Sequence, residues 1–336
     1  MVSIIIPVYN ASKYLKNTVN AILSQSVNNW ALILIDDCSS DDSYEICKQF
    51  ALEDDRIVAL RTDVNSGPAI TRNMGIDYAT KRSVAGGADF LSFVDSDDTV
   101  TVDYVERLYS KALQFHADIV WCNYWEYDFG NEQQKILRAH QIPAQEILCK
   151  DYLLSLFFES PSGLGSLCNK LYSVDFIKQT GIRLNSERIR AEDWEFNLML
   201  FQKDPKVVAI EDALYNYIHY PHPSIMTTFR SKDYEMFWRS RKLLEEMAKK
   251  NNIKFNAKKE NNTIIYNIVN HLFILAKAAN IIDKQTELQS ITTDARLNDL
   301  LRNKEWSLFS LPIRFRIAAI FLWLNSSILL KWYLRI

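Results

Sequence analysis

Five cysteines are scattered along 336 residues, an odd number, and Cys38, Cys47, Cys122, Cys149 and Cys168 include no CxxC pair. That spacing suggests neither a disulfide framework nor a zinc site and fits a reducing compartment. Net charge is also lacking. Thirty-nine basic residues against 41 acidic ones leave −2, so whole-chain electrostatics offer no footprint for nucleic acid, and none is expected as a partner. The N-terminus has no basic lead and no small-residue cleavage site. Val2 to Ile6 reads as a first strand rather than a signal peptide, and the expected location is the cytoplasm. Repeats and low-complexity tracts are absent, and glycine is missing from Lys232 onward.

What remains is an ordinary globular composition, 48% hydrophobic and 24% charged, in a chain long enough for one large domain plus an appendage. Apolar runs at Ile4–Val8, Ala31–Ile35, Ile57–Leu60 and Phe90–Val94 alternate with helical spacing at Lys13–Ser24, Ser43–Leu52 and Pro68–Ala79. Strict strand–helix alternation predicts βαβ units and an α/β fold around a mostly parallel sheet buried on both faces. Later strands are expected at Ile119–Tyr127, Leu167–Tyr172 and Val207–Ile218, with helices at Gln145–Phe158 and Glu192–Gln202. Gly130–Gln145 reads as a polar loop. Composition shifts near Arg230, giving segments 1–230, 231–308 and 309–336. The second holds two or three amphipathic helices, one with a stripe of Ile264, Ile265, Ile268, Val269, Leu272 and Leu275.

In open α/β sheets ligands bind beyond the carboxyl ends of the strands, and acids gather there in this sequence. Asp95-Ser96-Asp97-Asp98 follows the fourth apolar run; two carboxylates one residue apart can hold a hard divalent cation whose other positions go to phosphate oxygens. The competing reading is that Asp97 or Asp98 caps a helix starting near Val102. Asp36 and Asp37 close the second run, placed to meet a base or a ribose, while Ser39 to Asp42 serve as turn and cap. Pro7 stiffens the exit from the first strand, and Tyr9 either packs on a base or is plain core. Asn65-Ser66-Gly67-Pro68 enters a helix carrying Arg72, which either reaches a diphosphate or pairs with the acids. Glu192-Asp193-Trp194 opens a late helix. A carboxylate partly desolvated beside Trp194 is a candidate general base, and equally an acid favoured by the helix dipole.

The segments PVYN, DD, NSGPAITRN, VDSDD and AEDW occur in the order and approximate spacing of family 2 inverting glycosyltransferases, which this sequence resembles over about residues 1–228. The resemblance implies a GT-A nucleotide-sugar-binding domain with flanking helices and a C-terminal helical extension. It also implies transfer of a hexose or N-acetylhexosamine from a UDP-sugar to a hydroxyl of a glycan or lipid-linked glycan in bacterial surface-polysaccharide synthesis. Pro7, Tyr9, Asp36 and Asp37 then face the uridine side, and Asn65, Gly67, Arg72, Asp95 and Ser96 complete the donor site. Mn2+ or Mg2+ is implied as cofactor on Asp95 and Asp97. Asp193 matches the catalytic base, with Glu192, Trp194 and Lys170 near the sugar or acceptor. Relatives carry Y-x-Y-R-x-H-x-x-S after this helix; here Ile218 replaces the arginine, and neither His219 nor His222 has the expected spacing to Ser224. His222 is the preferred third metal ligand.

Ile317–Leu330 is shorter than the roughly 20 residues that span a bilayer and is broken by Asn325, Ser326 and Ser327, so it suits an interfacial helix. With its flanking cations and tryptophans it is expected to touch the inner face of a membrane; a helix folded back on the core or a homodimer contact is the alternative. Two rival functions stay open. A nucleotidyltransferase usually needs a glycine-rich phosphate loop, which Pro7–Ala11 does not supply; a non-catalytic saccharide-binding module would not need every acid of the mechanism.

Overall fold

The computed structural model describes residues 1–84, 89–128, 135–139, 145–148, 150–159, 165–187, 190–220, 229–278, 281–303 and 305–335. Two compact units result, Met1–Pro221 and His222–Ile336. The composition shift near Arg230 lies a little beyond that division because it registers only where the long helices begin.

In the first unit, β1 (Val2–Val8), β2 (Trp30–Asp36), β3 (Ile57–Arg61) and β4 (Phe90–Phe93) pair in parallel in the order β3-β2-β1-β4. All seven residues of β2 are buried, as an unbroken apolar run requires when helices cover both faces of a sheet. Helices α1 (Leu15–Leu23), α2 (Ser43–Glu53) and α3 (Pro68–Val84) supply the crossovers. Gly75 of α3 faces the sheet so closely that an added Cβ would overlap Ile5 Cγ2 and lie 2.9 Å from Ile35 Cδ1. This close approach settles α3 directly on β1 and β2.

The sheet continues beyond β4 as β9 (Lys170–Ser173), β6 (Ile119–Asp128), β10 (Val207–His219) and the short β5 (Thr99–Val100). β9 runs antiparallel to both β4 and β6, whereas β6 and β10 are parallel. Helices α4 (Tyr104–Phe115), α5 (Lys150–Glu159), α6 (Val174–Thr180) and α7 (Glu192–Phe201) pack around this half. Two expectations change here. The polar stretch before Gln145 holds β7 (Lys135–Ala139), paired with β6, and the expected helix from Gln145 begins as β8 (Gln145–Leu148), paired with β10. Edge pairing along the long β6 and β10 overrides the helical spacing of those residues.

The second unit comprises α8 (Asp233–Lys250), α9 (Ala257–Lys277), α10 (Ile281–Thr293), α11 (Ala295–Arg302), α12 (Ile313–Trp323) and α13 (Ser327–Leu334). The expected stripe from Ile264 to Leu275 on α9 is buried at its centre. Leu311, Phe315, Ala318, Ala319, Leu322, Leu330 and Leu334 share that core, so residues 311–334 belong to the unit rather than forming a separate tail. Asn325, with φ of 50°, turns the chain between α12 and α13.

Candidate active site

The register of the parallel strands decides where the acids meet. Val8 pairs with Asp36, Asp36 with Arg61 and Ile5 with Phe93, so the segments leaving β1, β2, β3 and β4 emerge on one rim. At that rim the Asp37 carboxylate accepts the Ser66 and Gly67 backbone N–H groups at 2.8 and 2.7 Å and the Thr62 hydroxyl at 2.9 Å. Gly67 has φ of 85°, which a side chain would strain, so the loop that turns into α3 is held on both of its last amides. Asn65 lies in the same loop, and Pro7 is half-buried in β1.

Asp36 is fully buried; its Oδ2 accepts the Ser39 N–H at 3.0 Å and pairs with Arg61 at 3.2 Å. It organises the loop from below. Tyr9 is 51% exposed, which removes the plain-core reading and leaves a ring free to stack at the end of β1.

Arg72, one turn into α3, joins two distant segments. Its Nη2 donates to Asp95 Oδ1 and its Nη1 to Glu192 Oε1, each at 2.8 Å. Burial opposes the guanidinium charge, but Asp95 and then Glu192 outweigh it and hold Arg72 protonated. The ion-pair alternative is met: Arg72 pairs with both acids.

The 95–98 turn closes with the Asp98 N–H on the Asp95 carbonyl, and Thr18 Oγ1 donates to the carbonyls of Ser96 and Asp98 at 2.9 and 2.7 Å. Asp95, Ser96 and Asp97 are part-exposed; Asp98 is buried beneath them. The Asp98 carboxyl takes the Tyr215 hydroxyl at 2.5 Å and the Ile218 N–H at 2.8 Å, tying the turn to β10. Burial, then the charges of Asp95 and Asp97, push the Asp98 carboxyl well above the usual carboxylate range. Neither Asp97 nor Asp98 caps a helix: Asp103 stands at the N-terminus of α4. Tyr215 belongs to the Y-x-Y stretch, but its bond to Asp98 escaped sequence reasoning, since the two lie 117 residues apart.

Glu192 and Asp193 open α7, where acids also suit the helix dipole. Glu192 is buried against Arg72. Asp193 is part-exposed and takes the Trp194 N–H at 2.8 Å. Desolvation and then Glu192 raise its pKa to about 6, with Arg72 opposing. Trp194 packs edge-on against Phe157 and under Gly165, where a Cβ would come within 3.0 Å of the indole. Lys170, expected beside sugar or acceptor, is fully buried. Its Nζ donates to Ser166 O at 2.5 Å and Asn169 Oδ1 at 2.9 Å, and burial lowers its pKa to about 7. His219 Nε2 stands 3.5 Å from Glu126 Oε2, and His222 lies outside the described residues.

Among the described residues, no group of three or more His, Cys, Asp and Glu side chains is arranged to hold a metal by itself. Asp95 and Asp97 nevertheless fit a hard cation that takes one or two carboxylates and completes its shell with substrate phosphate oxygens. Burial is the larger cause of the rise at Asp98, and the charges of Asp95 and Asp97 that add to it are what such an ion would neutralise.

The glycosyl transferase family 2 model matches residues 3–181, which include β1 to β4, the acidic turn and Arg72. The chain belongs to glycosyl transferase family 2. Among similar sequences, glycosyltransferase GlyG of Streptococcus pneumoniae is 41% identical over 128 residues, 38% of this chain and 40% of that protein. Glycosyltransferase GlyA of the same organism is 31% identical over 224 residues, 64% of this chain and 30% of that protein. The matches thus span less than half the length of these two glycosyltransferases. S. aureus TarS 1-349, solved in complex with UDP-GlcNAc, shares the fold with a TM-score of 0.62 at 16% identity, over 99% of this chain and 90% of that one.

Proposed function

We propose that this family 2 member transfers a sugar from a UDP-sugar to a hydroxyl of a glycan or lipid-linked glycan in bacterial surface-polysaccharide synthesis, with inversion at the anomeric carbon. The observation that carries the reading is the Asp95–Arg72–Glu192 bridge, with Asp193 next to it on a rim that also presents Tyr9. The uridine diphosphate donor draws support from the nucleotide-bound TarS fold neighbours.

In this reading Tyr9 stacks on the base and the Asp37-held loop borders it. Asp95 and Asp97 would hold Mn2+ or Mg2+, which when bound supplies charge to neutralise a departing diphosphate. Arg72 offers a second cation at the same place. Asp193 takes the proton of the acceptor hydroxyl as that oxygen bonds to the anomeric carbon and the bond to the diphosphate breaks. The partly desolvated Asp193 carboxylate suits this work because its proton affinity is raised toward the working pH while it remains ionised at neutrality.

Asp193→Asn keeps shape and removes the base. Sugar transfer is expected to fall about 1,000-fold or more, within the range general bases contribute, with UDP-sugar affinity unchanged by calorimetry. Transfer at a near-normal rate would remove Asp193 from the role. Asp97→Ala is expected to weaken UDP binding in manganese; identical titrations for the two proteins would exclude Asp97 as a ligand.

A further inference from the structure

α12 has no polar face. Phe315, Ala318, Ala319 and Leu322 are buried in the helical core, as any helix closing a bundle requires. Ile313, Ile317, Ile320 and Leu324, at spacings of four, three and four, fall on the opposite side, and all are exposed. A helix that only seals a core carries polar residues there. The pattern continues in α13, where Leu330 and Leu334 point inward while Ile328, Leu329 and Trp332 are exposed, Ile328 by 78% and Trp332 by 73%. Trp323, half-exposed, stands where the two helices meet.

Within the segment itself the charges have one sign. From Trp306 to the last residue there is no aspartate or glutamate, whereas Arg314, Arg316, Lys331 and Arg335 are all present. On the helical wheel Arg314 and Arg316 fall on either flank of the exposed stripe of α12; Arg314 is exposed and can reach outward with its charge, whereas the Arg316 guanidinium donates to the Leu311 and Phe309 carbonyls at 2.9 and 3.1 Å. Among the described residues no helix is long and apolar enough to cross a bilayer, so insertion as a span is not available to this segment.

We infer that the exposed face of α12 and α13 lies in the plane of an anionic lipid surface, its isoleucines, leucines and tryptophans in the headgroup–acyl boundary and its cations on the phosphates. Apolar area with tryptophan and flanking cations is the composition that in-plane binding uses. A second copy of the chain fits less well, because a symmetric contact would bring the same cations face to face. The inference rests on the helical unit alone and stands whether or not Asp193 is the base.

Flotation of the full chain with vesicles tests it. With equal parts phosphatidylcholine and phosphatidylglycerol the protein is expected to float, with a tryptophan blue shift; with phosphatidylcholine alone, or at high salt, the bound fraction should fall about tenfold. The exposed pair Ile328→Glu and Trp332→Glu should lower flotation similarly with an unchanged thermal midpoint, and Arg314→Gln with Lys331→Gln should remove the preference for phosphatidylglycerol. Wild type left unbound by the mixed vesicles, or the glutamate variant floating as well as wild type, would overturn it. So would a dimer in sedimentation equilibrium that the same glutamates dissolve.

Discussion

A carboxylate that accepts a proton has to be ionised at the working pH, and Asp193 is held near the edge of that condition, at about 6. If it is the base, transfer should fall tenfold per unit as pH drops below about 6 and level off above, which initial rates across pH 4.5–8 check. The stability effect has the opposite sense. A carboxyl whose folded pKa lies above its value of 3.8 in the unfolded chain imposes no penalty below 3.8, a growing one between 3.8 and 6, and the full penalty above. Asp193→Asn should therefore be more stable than wild type at neutral pH, by about 1–3 kcal/mol, and equal to it at low pH; urea titrations at the two pH values read this directly. Arg72→Ala, which leaves the buried Glu192 without its cation, should instead destabilise by about 3–5 kcal/mol. Asp36, Asp37, Asp95 and Asp97 were legible from their position after apolar runs, whereas Glu192 and Asp193 stood out only as acids opening a helix. Their partners were not, since Arg72 and Glu192 stand 120 residues apart and no local pattern announces a pairing at that distance.

At the scale of elements, the contact between α3 and the sheet turns on the absence of one methyl group. Gly75→Ala would press into Ile5 and Ile35; the expected cost is about 1–3 kcal/mol, measured as a lowered urea midpoint, with reduced donor affinity if α3 shifts and carries Arg72 away. The parallel half of the fold was readable because β1 to β4 are continuous apolar runs separated by helical periods. The other half was read less well. β7, β8 and β5 are short, exist by pairing with β6 and β10, and carry too few residues for periodicity to identify them. Reversal of β9 between β4 and β6 leaves no trace in composition either, since a buried strand of Lys170–Ser173 reads the same in both directions.

For the molecule as a whole, each unit has its own buried core, so heating should produce two transitions in calorimetry. A UDP-sugar at a hundredfold excess over its Kd is expected to stabilise the Met1–Pro221 transition by about 2.7 kcal/mol and leave the helical one in place. Movement of the helical transition by the same amount would mean that the nucleotide is read by both units. Sequence periodicity anticipated a helical extension but drew its last 28 residues as a separate tail (309–336), because an apolar face turned outward cannot be told from one turned inward until the core is seen. The Asp37 carboxylate, finally, fastens the amides of Ser66 and Gly67 at the point where the chain commits to the helix that carries Arg72. Exchanging Asp37 should thus release the ground under Arg72 as well. Under the proposed reading, a change of donor preference is better begun at the exposed Tyr9 ring than at a carboxylate that holds backbone.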